Sequence, residues 1–82
     1  MYKVIKRDGK VTDFDIAKIT IAITQAFESV QRQYHPSVID MLALRVTSDF
    51  EPKIKEERIH VEDIQDSVED VLIQADYADV AK

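Results

Sequence analysis

Gly9 is the only glycine in this chain of 82 residues. That scarcity removes the glycine-rich phosphate cradles at once. A P-loop needs at least two glycines and a dinucleotide fingerprint about three, because backbone has to approach phosphate with no side chain in the way. Any nucleotide held by this chain must therefore be held by side chains. Cysteine is absent as well, which excludes disulfides, thiolate zinc sites and thiol nucleophiles.

Gly9 follows Asp8, and the pair separates two short runs, Tyr2–Lys6 and Lys10–Phe14, that carry β-branched and aromatic residues. This predicts a β-hairpin over 2–14 closed by a two-residue type I′ turn at Asp8-Gly9. In that register Arg7 faces Lys10, Lys6 faces Val11 and Ile5 faces Thr12, with basic side chains gathered at the tip.

Helical patterning takes over after the hairpin. Asp15 is placed to cap a helix over about 15–33, with Phe14 before it stapling onto Ile19. Ile16, Ile19, Ile23, Ala26, Phe27 and Val30 form its apolar stripe, and His35-Pro36 lies beyond its end. A second helix is expected over 37–50, with Ile39, Leu42, Val46 and Phe50 inward. Pro52 and the polar stretch Lys53–Arg58 then connect, with a short extended piece at Arg58–His60. A third helix over 61–74 opens on Glu62 and Asp63, acids suited to the positive end of its dipole. Asp76 can cap a fourth over 76–82, so short that the chain reads as trimmed within its last helix. The expected fold class is α+β, mostly α. One domain over 1–82 packs an N-terminal β-hairpin lid on a bundle of three to four helices, and the lid is the candidate mobile element.

Charge narrows the partners. The net charge is −5, which disfavours nucleic acid. No apolar run approaches the ~20 residues of a membrane span. Met1 leads into alternating Lys and apolar residues rather than a signal peptide, so a cytoplasmic location is expected. The charge is uneven, however. Residues 1–18 hold five bases (Lys3, Lys6, Arg7, Lys10, Lys18) against three acids, while the remainder holds six against thirteen. A basic patch thus sits on an acidic domain.

Lys18 breaks a local rule. It stands at the third position of the first helix, where a capping box places Glu or Gln, and a cation there opposes the macrodipole. Local violations of this kind are expected at functional sites. Together with Lys6 and Arg7, Lys18 outlines an anion site at the amino end of that helix, over a small apolar pocket under Phe14, Ile19 and Ala22. A solvated lysine is the bland reading of the same residue. Elsewhere His35 and His60 lie far apart with no partner at metal-ligand spacing. The acidic series Glu62, Asp63, Asp66, Glu69 and Asp70 reads as a solvated helix face. No serine has a base placed to activate it, so this fragment is not expected to be an enzyme in its own right.

Val4-Ile5-Lys6-Arg7-Asp8-Gly9, then Phe14-Asp15 and Lys18-Ile19, resembles the opening of the ATP-cone, the N-terminal regulatory domain of many ribonucleotide reductases. The stretch Val61–Glu69 and the closing Ala78-Asp79-Val80-Ala81-Lys82 also resemble that family, especially its anaerobic (class III) ribonucleoside-triphosphate members. The resemblance implies a hairpin lid over a four-helix bundle with ATP or dATP between them, and Mg2+ as an accompanying ion. It further implies that ATP turns the reductase on and dATP turns it off by changing subunit association. Lys6 and Arg7 match the family's phosphate-contacting pair, and Lys10 extends that basic tip. Thr12, Asp13, Phe14, Asp15 and Lys18 match the segment that wraps the nucleotide, and Val61 and Gln65 match positions on the base and sugar side. Family members often carry a carboxylate where Thr12 stands and a polar or charged residue where Val61 or Gln65 stands. A basic residue that contacts phosphate in several members would lie beyond Lys82. The implied partners are the remainder of a parent reductase chain and its other subunits.

Two other readings compete. The cone of a transcriptional repressor of reductase genes resembles this one, but follows a four-cysteine zinc ribbon that has no counterpart here. A helical protein-interaction module with an incidental basic hairpin needs no nucleotide at all.

Overall fold

The computed structural model, which describes residues 2–81, begins with two three-residue strands, β1 (Lys3–Ile5) and β2 (Val11–Asp13). Four helices follow: α1 (Ile16–Ser29), α2 (Pro36–Phe50), α3 (Val61–Gln74) and α4 (Ala78–Ala81). A 3-10 turn at Glu51–Lys53 and a third strand, β3 (Arg58–His60), lie between α2 and α3. Among the described residues no helix is long and apolar enough to cross a membrane. The expectation that the last helix reaches Lys82 falls at that residue outside the described ones.

The hairpin forms, but not with the expected turn. Val4 pairs with Thr12 and Ile5 with Val11, one residue out of the predicted register. The loop is Arg7-Asp8-Gly9, closed by Lys6 N–H donating to the Lys10 carbonyl (2.8 Å) and Gly9 N–H donating to the Lys6 carbonyl (2.9 Å). Within this loop only Gly9 takes a positive φ, +86°. A three-residue loop needs one left-handed residue where a type I′ turn needs two, so Asp8 is spared that conformation. The Asp8 carboxylate accepts the Lys10 N–H instead (3.0 Å).

β1 is not the outer strand of a free lid. The sheet order is β2-β1-β3, and β3 runs parallel to β1 with Val4 opposite Ile59. The extended piece expected at 58–60 thus fastens the hairpin from its second edge. The turn before β3 has the positive-φ pair expected at Asp8-Gly9. Glu56 and Glu57 have φ of 52° and 62°, and Lys55 and Arg58 exchange backbone bonds of 2.9 Å across them. Aromatic rings hold the open end of the hairpin. Tyr2 lies 4.7 Å from Phe14, and both lie about 6 Å from Phe50 at the end of α2 (6.0 and 5.8 Å). Such pairs add about 0.5–1.5 kcal/mol each to the area they bury.

The core lies where α2 packs on α1 and α3, and it is built from the predicted stripes. Ile23, Phe27, Ile39, Leu42, Val46, Phe50, Val71 and Leu72 are buried, joined by Val4 and Ile59 from the sheet. His35 caps α2, its ring Nδ1 accepting the Ser37 N–H at 3.1 Å, and Pro36 takes the first helical position, where a missing N–H is harmless. α1 stops at Ser29, four residues before the expected 33. Gln31 turns left-handed (φ 56°), its N–H donating to Glu28 and that of Arg32 to Phe27, both at 3.0 Å, which is a Schellman closure. α3 ends the same way. Asp76 (φ 68°) donates to Ile73 and Tyr77 to Leu72. Asp76 therefore closes α3 rather than capping α4, and the Tyr77 carbonyl accepts the first bonds of α4. That single turn of helix is held by packing: Val80 is buried, the Tyr77 ring lies 5.1 Å from Phe27, and Arg32 reaches both the Tyr77 face (4.7 Å) and Asp79 (2.6 Å).

Candidate functional site

The one-residue change of register matters for function because the side-chain period of a strand is two. With Val4 opposite Thr12, the inner face of the hairpin presents Val4, Lys6, Thr12 and Phe14 together. The predicted register would have put Thr12 on the other face with Ile5.

That face roofs a cleft of about 210 Å³. One wall is the start of α1, contributing Asp15, Lys18, Ile19 and Ala22. The other is the first turns of α3, contributing Val61, Ile64, Gln65 and Val68. Lys18 and Ala22 share a helix face at a spacing of four, and Val61, Ile64, Gln65 and Val68 follow the same rule. Asp13 also borders the cleft, but its carboxylate pairs with Lys3, its cross-strand neighbour. The hydrogen bond and charge of that ammonium hold the Asp13 carboxyl below the usual carboxylate range.

Asp15 caps α1 as expected, its carboxylate accepting the Ala17 N–H at 3.0 Å, and the Lys18 N–H donates to the Asp15 carbonyl at 3.0 Å. Two of the orphan donors at this helix end are thereby used. The expectation that free backbone groups at this helix end hold an anion is reduced accordingly, leaving the Lys6 and Lys18 side chains as the cationic donors at the cleft. Among the described residues neither Lys6 nor Lys18 has a carboxylate partner, and both border the cleft.

Two predicted residues stand outside the cleft lining. Arg7, at the hairpin tip, donates from Nη2 to Gln65 Oε1 (2.6 Å) and lies 3.4 Å through Nε from Glu62 Oε1. Lys10 is exposed, and its backbone, rather than its side chain, is what the turn uses. Conversely Val4, Ile64 and Val68 line the cleft without having been singled out. Val4 is signalled by its two-residue spacing from Lys6, whereas Ile64 and Val68 lie on the α3 stripe and look like ordinary core. Among the described residues no three His, Cys, Asp or Glu side chains gather as a metal site.

The cleft is smaller than the roughly 300–1,000 Å³ of a pocket that encloses a whole drug-sized ligand. Its walls are chiefly aliphatic and aromatic, with two unpaired cations beside them. This geometry suits a flat apolar group inserted between α1 and α3 with a polyanionic tail lying outside, toward Lys6 and Lys18.

A family model described as the ATP cone domain matches residues 2–82. A ribonucleoside-diphosphate reductase subunit alpha of Chlamydia pneumoniae is 39% identical over 85 residues, covering 96% of this chain and 8% of the relative. A vitamin B12-dependent ribonucleoside-diphosphate reductase of Thermoplasma acidophilum is 41% identical over 85 residues, covering 98% of this chain and 10% of the relative. Another subunit alpha, of Treponema pallidum, is 39% identical over 83 residues, covering 96% and 10%. The chain thus spans about a tenth of the length of the curated relatives it matches. With the family model extending over nearly the whole chain and relatives close to 40% identical across it, the chain belongs to the ATP-cone family and is homologous to a segment of ribonucleotide reductase chains.

Proposed function

We propose that this cone binds ATP or dATP in the cleft beneath the hairpin and sets the activity of a parent ribonucleotide reductase, ATP activating and dATP inhibiting. The observation that carries the reading is the pairing of an apolar slot with two cations, Lys6 and Lys18, that have no carboxylate partner among the described residues. The adenine base enters between Phe14, Ile19 and Ala22 on one side and Val61 and Gln65 on the other. The phosphates lie toward Lys6 and Lys18, whose charge-assisted bonds are among the stronger ones a protein makes. Mg2+ travels with the nucleotide's own phosphates, since Asp13 is committed to Lys3 and Asp15 to the helix cap.

Regulation requires that the two nucleotides differ in affinity for two states of the parent. Thr12 and Gln65 are the uncharged polar side chains at the cleft, and they are the groups placed to read the sugar hydroxyl that separates ATP from dATP. The parent is a reductase of the class named by the relatives or of the anaerobic class suggested by the sequence blocks. Turnover of a ribonucleoside diphosphate against a triphosphate by the parent, with and without oxygen, decides between them.

Thermal melts of the chain with ATP, dATP and GTP test nucleotide binding. A ligand at about a hundred times Kd adds about 2.7 kcal/mol, a rise on the order of 10–20 °C for a domain of this size. Lys6→Ala and Lys18→Ala should each weaken binding about ten- to hundredfold. Identical melts in all wells would refute the nucleotide reading.

A second reading draws on α2, where Met41 and Leu44 are 48% and 64% exposed on one helix face. That face suits packing against the remainder of the parent chain, and it complements nucleotide binding rather than replacing it.

A further inference from the structure

We infer that Glu62, which does not line the cleft, sets the cleft's affinity for nucleotide by holding the Arg7 guanidinium away from it, an inference that rests on the nucleotide-binding function proposed above. Arg7 follows Lys6, a cleft residue, yet it turns to α3 and places Nη2 2.6 Å from Gln65 Oε1 and Nε 3.4 Å from Glu62 Oε1. The guanidinium therefore donates to one cleft residue, Gln65, and lies within ion-pair range of a carboxylate, the group that most resembles phosphate as a guanidinium partner.

The balance between the two partners follows from exposure and charge. The Arg7 and Glu62 side chains are 69% and 56% exposed, and exposed ion pairs are weak. A triphosphate carries several negative charges and accepts bidentate bonds, so it competes effectively for the same donors. Transfer of Arg7 leaves Glu62 without hardship. Glu62 occupies the second position of α3, where the positive end of the helix dipole favours an acid whether or not Arg7 is present. The same transfer frees the Gln65 amide, which lines the cleft, for the ligand. Glu62 is thus a competitor whose strength is subtracted from nucleotide affinity, and the Arg7 bridge ties the hairpin tip to α3 whenever phosphate does not claim it.

Calorimetric titration of the 82-residue chain with ATP at low salt, in a double-mutant cycle of Arg7→Ala and Glu62→Gln, tests this. Glu62→Gln should bind ATP about two- to fivefold tighter than the unmodified chain, the worth of an exposed ion pair. The gain should shrink as salt rises, and it should vanish when Arg7 is already alanine. An equal gain in both backgrounds would mean that Glu62 merely repels phosphate, and weaker binding by Glu62→Gln would mean that it presents Arg7 to the ligand. Either result overturns the inference. A chain that binds no ATP refutes the function instead, and amide exchange without ligand then reads the tether by itself. Arg7→Ala should speed exchange at the Lys6 and Gly9 amides of the turn, and unchanged exchange there would overturn the tether.

Discussion

Ser67 is fully buried on α3, and its hydroxyl has no hydrogen-bond partner among the described residues. A buried hydroxyl without a partner costs about 1–3 kcal/mol, so Ser67→Ala should raise the urea midpoint and stabilise the chain by about 1 kcal/mol. A lower midpoint would show that the hydroxyl is bonded after all. Tyr2 presents a second buried hydroxyl with no partner among the described residues, and its pKa is raised from 10.0 by burial and then by the nearby Glu51 charge. The folded value exceeds the unfolded one, so the fold favours the neutral phenol. That contribution is fully present below about pH 10 and is lost as pH rises through the folded value. Urea melts between pH 8 and 11 should show the loss, and Tyr2→Phe should lessen it; an unchanged alkaline slope in Tyr2→Phe would place the titration elsewhere. The residue scale was also where the sequence spoke most clearly about the site. Lys18 stood out because a cation at that helix position opposes the dipole, and it lies at the cleft. Gln65 and Val61 carried no such mark, and only the resemblance pointed to them. Arg7 and Lys10 could not be told from Lys6 by charge alone, because the difference between them is which face of a strand or turn they occupy.

At the scale of elements, five backbone positions among the described residues take a positive φ, and glycine fills one of them, Gly9, the other four being Gln31, Glu56, Glu57 and Asp76. Gly9 faces open space, so Gly9→Ala is opposed only by its conformation and should destabilise by about 1–2 kcal/mol. Glu57→Gly should do the reverse, a gain of about 0.5–1 kcal/mol once the entropy of glycine is subtracted. Denaturant melts of both variants check the assignment, and a neutral Gly9→Ala would mean that the loop is not left-handed there. These positions explain what was hidden in the sequence. Asp8-Gly9 fits a two-residue and a three-residue loop equally well, and the choice between them flips Thr12 between faces. Glu56-Glu57 has no turn residue to announce it, and a three-residue strand such as β3 is too short to show a period. The helices were legible because Ile, Leu and Val recur at helical spacing through them. The end of α1 and the start of α4 were not, because Gln31 and Asp76 do the work that glycine usually does.

Across the whole molecule, the hairpin is fastened at three places: by the Tyr2, Phe14 and Phe50 rings, by β3, and by Arg7 at its tip. The first two are apolar or backbone contacts in and around the core, and only the third is a weak, exposed bridge. Under the proposed function, the tip held by that exposed bridge is the part of the hairpin placed to move when a ligand enters. The acidic net charge of −5 and the two cations at the cleft are compatible because Lys6 and Lys18 are drawn from residues 1–18, which carry five bases against three acids. The proposed function places a nucleotide between the hairpin, α1 and α3. An ATP titration followed by amide NMR tests it most directly. The claim predicts saturating shifts at Lys6, Thr12, Lys18, Ala22 and Gln65 with little change at Lys53–Arg58 or α4, whereas shifts confined to those latter segments, or none at all, would contradict it.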